Sequence, residues 1–398
     1  MKNLMAWGTL MTLAAVLVLT AAKPSNAAGG ARPVSGNYRV LAPITHGDLT
    51  IFPVVAETIH DTSGFLTLDE GMRSGEVVVT EVGRVAGMMR RRPTPQYRPV
   101  GGAEVNRLVL VNNSKLPLIL LAGEVVTGGK QDRVVGKDRI VPAESDPVDL
   151  SVFCVEHGRW VESSDKFDTH ASIMVQPSVR KKVMAEKEQQ QVWNEVASSK
   201  TAMAARASAP PKSDPGSGGS GVGSGSGNGA GSVGGPALYV SDAEFVAQFN
   251  GITSYAKVRE NPMIQQQVDS IVAPMQKSYE SVAKQLREQN AVGVVVAVKG
   301  HIIWADIFAS NALLTKYWPK LLQSYAAEAL TMPGTHVEVT ENAAQRFVEN
   351  WQATHEVVDS EPGLYRQREI TGFRFKAFEL TSLLPKENFN VHLSKMAE

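Results

Sequence analysis

The chain has 398 residues, of which 43% are hydrophobic and 20% are charged, enough material for one large or two medium globular domains. Its 40 Lys and Arg residues balance 40 Asp and Glu residues, so the formal net charge is zero. Because there is no basic excess to neutralise a phosphate backbone, we expect no nucleic-acid partner.

The N-terminus has the pattern of a secretory signal peptide. Lys2 supplies a positive charge, Leu10 to Ala22 form a short apolar run, and Ser25 to Ala27 are small or polar residues suited to cleavage. The apolar run is shorter than the roughly 20 residues that a membrane-spanning helix needs. We therefore predict a signal peptide over residues 1–27, a periplasmic or extracellular location, and no membrane span after cleavage.

A segment rich in Gly, Ser, Ala and Pro divides the rest of the chain. Residues 208–236 have almost nothing to bury, which is typical of a flexible tether. The first block, 28–207, and the second block, 237–398, are each of domain size. Composition is compatible both with two domains and with one domain that carries an inserted loop.

The first block is predicted to consist mostly of strands. Short aliphatic or β-branched segments alternate with Gly, Pro, Asn and Asp, which favours an antiparallel sandwich or a barrel-like sheet. These segments are Glu76–Val82, Val105–Val111, Leu116–Leu121, Arg133–Val135 and Leu150–Glu156. From Pro177 the apolar spacing becomes helical and continues toward the tether.

The second block is predicted to pack helices on a smaller sheet, which makes the whole chain an α+β protein. A capping box at Ser241 and Glu244 predicts the start of one helix. Further predicted helices begin at Pro262, with a kink at Pro274, and cover Asn311–Leu330 and Thr340–Thr354. The predicted strands are the hairpin Val292–Val298 and Ile302–Phe308, then Phe373–Ala377 and Phe389–Leu393.

Motifs of the common enzyme classes are missing from the sequence. It has no HExxH, no paired CxxC, no GxSxG, no phosphate-binding P-loop and no strand-linked dinucleotide fingerprint. We therefore predict no cofactor and no metal site. The single Cys154 excludes an intramolecular disulfide, and it is either a small buried apolar residue or a nucleophile.

Polar side chains are concentrated in one segment, from Gly123 to Trp160. A predicted strand carries Glu124 to a turn at Gly128 and Gly129, and this turn is expected to expose backbone amides. Gln131 and Arg133 follow, and both offer hydrogen-bond donors to a polar or anionic ligand. The alternative is a charged surface hairpin whose ions pair with each other at little energetic gain.

A second polar group lies about thirty residues further on. Glu156, Arg159 and Trp160 follow a predicted strand and would face Glu124 and Arg133 across adjacent strands. Trp160 would then stack on a base or sugar, or else cover the core. Two carboxylates in one cleft would also allow acid and base roles.

The runs GEVVTGGKQDRVV and VFCVEHGRW resemble the ARPP family, bacterial domains associated with ADP-ribosylglycohydrolase and rhodanese-phosphatase proteins. The resemblance covers most of the chain after the signal peptide. It implies that the two blocks form one family unit with the tether as an insertion. It also implies a link to NAD-derived or ADP-ribose-like molecules, without an established mechanism.

Three functional hypotheses follow from these patterns. The first is an exported domain that binds a small polar or anionic ligand through Gly128, Gly129, Gln131, Arg133, Arg159 and Trp160. The second is a hydrolase of a nucleotide-sugar-like bond with Glu124 and Glu156 as acid and base. The third is a non-catalytic envelope protein whose helices and tether bind a protein partner.

Overall fold

The structure is a computed structural model that describes residues 37–85, 88, 106–159, 161–169, 173–207, 249 and 251–398. Four predicted features lie outside the described residues: the signal peptide 1–27, the tether 208–236, the capping box at Ser241 and Glu244, and Trp160.

The described part of the first block is rich in short strands. They are β1 (Tyr38–Val40), β2 (Ile44–His46), β3 (Leu49–Ala56), β4 (Leu66–Thr67), β5 (Val77–Glu81), β6 (Arg107–Asn112), β7 (Leu118–Leu120), β8 (Val125–Val126), β9 (Arg133–Val135), β10 (Arg139–Val141) and β11 (Val148–Cys154). Helix α1 (Leu68–Arg73) follows β4, and α2 (Pro177–Lys181), a π-helical turn (Lys182–Glu186) and α3 (Gln189–Ala207) end the block.

The second block alternates long helices with long strands. Its described helices are α4 (Tyr255–Glu260), α5 (Pro262–Glu288), α6 (Asn311–Thr331) and α7 (Glu341–Glu349). Its described strands are β12 (Ala291–Val298), β13 (His301–Phe308), β14 (Ala353–Glu361), β15 (Tyr365–Gly372), β16 (Phe375–Ser382) and β17 (Asn390–Ala397).

The helices of the second block begin at residues that satisfy their first backbone amides. The Asn261 side chain accepts from the amide of Met263 at the start of α5, and Pro262 needs no such acceptor. Ser310 accepts from Leu313 at the start of α6. These local signals explain why the sequence predicts both helix starts correctly.

The two blocks share one nine-stranded sheet. Its order is β1-β3-β12-β13-β17-β16-β15-β14, with β2 also paired to β3. Strand β3 runs antiparallel to β12 from Leu49 opposite Val298 to Val55 opposite Ala291. Because three strands come from the first block and six from the second, neither block holds the complete sheet.

The remaining strands form smaller sheets. One has the order β5-β6-β11-β9-β8, and the other has the order β10-β7-β4. Pairing of β11 with both β6 and β9 places the end of β11 beside the β8–β9 hairpin. The two polar groups of the sequence are therefore brought to one region by strand pairing.

The large sheet is covered on both faces. On one face Trp304 packs in the main core with Tyr317 and Leu321 of α6. On the other face Phe52 and Phe375 pack in a second cluster that includes residues of α7. Sheets covered on both sides carry apolar residues at successive positions, which is why β3 and β12 read as continuous apolar runs.

The α+β class is confirmed, but several details differ from the sequence predictions. The helix expected over Thr340–Thr354 ends at Glu349, because β14 begins at Ala353 and pairs with β15. The helical run from Pro177 is interrupted at Lys187, which has a left-handed backbone with φ of 59°. The sheet of the second block is also larger than expected, since the charged strands β14 and β15 gave no apolar alternation.

Among the described residues, no helix combines the length and the apolar character needed to cross a membrane.

The shared sheet leads to a prediction about a chain cut in the tether. Cleavage at a protease site inserted into residues 208–236 should leave the two fragments associated, because β3 stays hydrogen-bonded along β12. Size-exclusion chromatography in native buffer should give one peak at the volume of the uncut variant, and denaturing electrophoresis should resolve both fragments. Separation of the fragments without denaturant would contradict the shared sheet.

Candidate functional site

The Gly128–Gly129 turn joins β8 to the segment that leads into β9. Gly129 has a left-handed backbone with φ of 51°, and a Cβ added there would lie 2.4 Å from the ring of Phe167. Both the conformation and the close approach of Phe167 require glycine. The turn predicted from the Gly-Gly pair is therefore present.

The backbone amides of this turn are not presented to a ligand. The Gly128 amide donates to Asp132 Oδ1 (3.0 Å), and the Gly129 amide donates to Ser164 Oγ (3.3 Å). The next amide, of Lys130, donates to Glu81 Oε1 (2.9 Å). The expectation of exposed amides is corrected here, because buried backbone groups require partners and three side chains supply them.

Arg159 joins the two polar groups of the sequence. Its Nε and Nη2 donate to the two carboxylate oxygens of Glu156 (2.7 and 2.6 Å), a bidentate pair. Its Nη1 donates to the carbonyl of Gly129 (3.0 Å), which fixes the turn. Glu156 Oε2 also accepts from the amide of Asp132 (3.0 Å). Gly128 to Asp132 and Glu156 to Arg159 thus meet in space.

Gln131 and Arg133 face the interior and not the solvent. Gln131 Nε2 donates to the carbonyl of Glu156 (3.0 Å), and Arg133 Nη1 donates to the carbonyl of Gln131 (2.8 Å). Arg133 has no exposed surface, and burial lowers its pKa. These two side chains therefore stabilise the Gly128–Gly129 turn from the protein interior. They do not present hydrogen-bond donors to a ligand in this structure.

Glu124 belongs to a different cluster of charges. Its Oε2 accepts from the amide of Leu121 (2.7 Å), and its Oε1 accepts from Lys320 Nζ (2.5 Å) of helix α6. Lys320 also donates to Asp69 Oδ2 (2.7 Å). Burial raises the pKa of Glu124, while the two carboxyl groups outweigh burial and raise the pKa of Lys320. The ammonium group thus neutralises one of the two carboxylates, and Glu124 is the more deeply buried of them.

Glu124 and Glu156 do not face one common hollow. Within the described part of the chain they share no hydrogen-bond partner, and each is only 1% exposed. Neither lines any of the five clefts, of about 340 to 870 Å³, that are found between described residues. The acid–base role of Glu124 and Glu156 therefore stays a prediction from the sequence.

A cleft lies beside the Gly128 turn. Its volume is about 630 Å³, and it is bordered by the turn, by the segment Ser163 to Asp168 and by helix α4. Of the residues predicted to bind ligand, Gly128 and Arg159 line it. Its other polar lining residues include Asp132, Lys166, Lys257 and Glu260. We call this space the Gly128 cleft.

Asp132 is a buried carboxyl group in the lining of the Gly128 cleft. Its Oδ2 accepts from Ser254 Oγ (2.5 Å), and Ser254 also caps helix α4. Burial raises the pKa of Asp132, although the hydrogen bond from Ser254 opposes this rise. The group therefore holds its proton at a higher pH than an exposed Asp does.

Cys154 is buried at the end of β11. Its Sγ donates to the carbonyl of Glu156 (3.1 Å), and burial raises the pKa of the thiol. A raised pKa disfavours the thiolate that a nucleophile requires. The structure therefore favours the small buried apolar role.

A third buried cluster was not predicted from the sequence. His392 on β17 lies between two carboxylates, with Nδ1 at 2.6 Å from Asp138 Oδ2 and Nε2 at 3.1 Å from Asp306 Oδ1. Arg180 Nη1 and Tyr325 Oη donate to Asp306 Oδ2 (2.8 and 2.5 Å). Burial alone would raise the pKa of Asp306, but Arg180 and His392 hold it below its usual value.

The surroundings of His392 favour its charged form. Burial acts to lower its pKa, but Asp138 and Asp306 outweigh burial and raise it. The cluster joins His392 and Arg180 to the carboxyl groups of Asp138 and Asp306, and none of these four side chains has exposed surface. It is a closed network and has no opening to a ligand.

Sequence patterns contain little that would have identified these residues. Asp306 lies on the same face of β13 as Trp304, and His392 contacts it from β17. Both are buried because α6 covers that face of the sheet. Lys166 and Lys257 lie outside the segment Gly123–Trp160, and only the tertiary fold brings them to the cleft.

Within the described ranges, no group of three or more His, Cys, Asp or Glu residues has an arrangement suited to a metal ion.

Comparison with known proteins gives one match. The family model described as "ARPP-1: ARG and Rhodanese-Phosphatase-superfamily-associated Protein domain" matches residues 37–396. No significant match is found among curated proteins or among solved structures.

The His392 cluster leads to a prediction about pH. Since the folded pKa of His392 is raised, its contribution to stability is fully present below the unfolded pKa of about 6.5 and is lost as pH rises through the folded value. Urea unfolding from pH 5.5 to 9 should show that wild type loses its advantage over His392→Asn as pH rises. Each unit of pKa shift corresponds to about 1.4 kcal/mol.

The matched control is His355→Asn, because His355 is exposed on β14. It should leave the pH dependence of wild type unchanged. A constant difference between wild type and His392→Asn across this pH range would argue against a charged His392.

Proposed function

Because the chain belongs to the ARPP-1 family, whose match spans both blocks, we propose that it is a binding domain for a small polar or anionic molecule held in the Gly128 cleft. The observation that supports this most directly is the meeting of two polar segments, about Gly128 and about Arg159, at one cleft.

The cations available to a ligand are two lysines at the edge of the Gly128 cleft. Lys166 and Lys257 are exposed, and neither forms an ion pair or a side-chain hydrogen bond within the described parts of the chain. Arg159 lies nearby, but its charge is held by Glu156. We therefore assign anion contacts to Lys166 and Lys257, and we assign Arg159 the role of holding the turn in place.

The size and lining of the Gly128 cleft suit a molecule with a phosphate group. A volume of about 630 Å³ falls within the range of ordinary small-molecule sites. Phe167, Val77 and Met72 supply an apolar surface beside the polar one. The family description names an association with ARG and rhodanese-phosphatase proteins, so a nucleotide, ADP-ribose or a sugar phosphate is the first class to test.

The proposal predicts that such a ligand stabilises the protein. At 100 times its Kd a ligand raises the free energy of unfolding by roughly 2.7 kcal/mol, which gives a measurable increase in Tm. Thermal unfolding with ADP-ribose, nucleotides and sugar phosphates should identify at least one such compound. The double variant Lys166→Gln, Lys257→Gln should lose most of the increase, because both lysines lie at the rim of the cleft.

The control for this experiment is Lys284→Gln. Lys284 is an exposed lysine on α5 that lines none of the described clefts, and it should leave ligand stabilisation intact. No increase in Tm with any of these compounds, or an equal increase in the double variant, would overturn the assignment of the Gly128 cleft.

We also propose that the protein is exported. The family match begins at residue 37, after the predicted cleavage site at Ala27, so the predicted signal peptide lies outside the matched domain. A periplasmic or extracellular domain of this kind would meet small ligands outside the cytoplasm.

Export predicts a mature chain that begins at Ala28. Intact mass measurement of the protein from a periplasmic extract should show the loss of residues 1–27. The variant Ala27→Glu should accumulate as the uncleaved precursor, because the cleavage position requires a small residue. Recovery of the full-length wild-type chain from the cytoplasm alone would refute export.

A further inference from the structure

A second cavity lies on the other side of helix α4. Its volume is about 340 Å³, and it is lined by residues of α4, α5 and α6 together with Ile173 and Met174. Glu260, at the end of α4, borders both this cavity and the Gly128 cleft. We call it the Arg259 cavity.

The wall of the Arg259 cavity contains a buried arginine without a carboxylate partner. Arg259 is 8% exposed, and its Nη2 donates only to the carbonyl (3.3 Å) and to Oε1 (3.1 Å) of Gln323. Its Nε and Nη1 are buried and have no hydrogen-bond acceptor in the described chain. A buried guanidinium with two unused donors is costly unless something supplies the acceptors.

The other charges around the cavity do not neutralise Arg259. Lys320 also lines the cavity, but it already forms ion pairs with Glu124 and Asp69. Asp269 and Glu260 are exposed at the rim, and neither forms an ion pair with Arg259. Burial lowers the pKa of Arg259, and Tyr255 and Asp269 only partly oppose this. The uncompensated charge in the buried part of the cavity is therefore positive.

Arg180 is a buried arginine with a structural role, and its contacts differ from those of Arg259. Arg180 has no exposed surface and an Nη2 without an acceptor in the described chain, but it forms an ion pair with Asp306 (2.8 Å) and stacks over the ring of Trp304. At Arg180 the fold thus supplies a carboxylate for the buried guanidinium. Arg259 is left without one beside a cavity large enough for a small molecule.

We propose that the Arg259 cavity is a second binding site, which takes the carboxylate or phosphate group of a small molecule, with Arg259 as its anion-binding residue. The forked donors of arginine match both oxyanions in geometry. This site is separate from the Gly128 cleft, and it stands whether or not the proposed function of that cleft is correct.

The experiment uses the full chain with inorganic phosphate and acetate as probes. Tm is measured against probe concentration at constant ionic strength, with chloride as the balancing anion. We expect a saturable increase in Tm with at least one probe, and the probe that gives it identifies the group as phosphate or carboxylate. The increase should persist in the double variant Lys166→Gln, Lys257→Gln, which separates this site from the Gly128 cleft.

Arg259→Met should abolish the saturable increase, whereas Arg346→Met, which alters an exposed arginine on α7, should retain it. In chloride alone Arg259→Met should have a Tm equal to or above that of wild type, because it removes an unpaired buried charge. Arg180→Met should have a lower Tm, because it removes the partner of Asp306.

Three results would overturn the proposal. The first is the absence of a saturable increase in Tm with either probe. The second is an increase that survives in Arg259→Met. The third is an Arg259→Met protein that fails to fold or is destabilised as much as Arg180→Met, since that would assign the guanidinium a structural role.

Discussion

The structure depends on the burial of one short backbone segment, Leu121 to Glu124, whose polar groups are satisfied by charged side chains. The Leu121 amide donates to Glu124, which is held by Lys320 of α6. The Ala122 amide donates to Asp138, and the Ala122 carbonyl accepts from Arg180. Through His392 and Asp306 these side chains connect the segment to β17 and β13. These buried ion pairs and hydrogen bonds join the first block to the second, and their charged groups must remain paired because an unpaired buried charge is costly.

This anchoring limits where a ligand can bind. Most of the polar residues between Gly123 and Arg159 already have partners within the fold. Glu124 is paired with Lys320, Glu156 is paired with Arg159, and Arg133 donates to a backbone carbonyl. Bidentate pairing of Arg159 with Glu156 holds the Gly128 turn rigid at the edge of a cleft. Rigid support below a cleft favours binding, since little ordering is then needed when a ligand arrives.

Helix α4 is placed between the two candidate sites. It presents Lys257 to the Gly128 cleft and Arg259 to the Arg259 cavity, and Glu260 borders both. Its start is fixed by Ser254, whose hydroxyl also donates to Asp132. A shift of this short helix would therefore move lining residues of both sites, which gives the two sites a direct physical connection.

The sequence by itself determined the α+β class, five strands of the first block (β5, β6, β7, β9 and β11), the starts of the helices at Pro262 and Asn311, and the turn at Gly128. These features depend on local periodicity, capping and backbone freedom, which are properties of neighbouring residues. The sequence also identified the segment whose two polar groups are joined by Arg159.

Tertiary structure alone decided which charges are buried and which remain available. Strand pairing across the tether placed β3 beside β12 and made one sheet of two blocks. Packing on both faces of that sheet buried His392 and Asp306, while Lys166, Lys257 and Arg259 have no carboxylate partner among the described residues. The pairing of charges depends on contacts between residues far apart in the chain, and local sequence patterns do not predict those contacts.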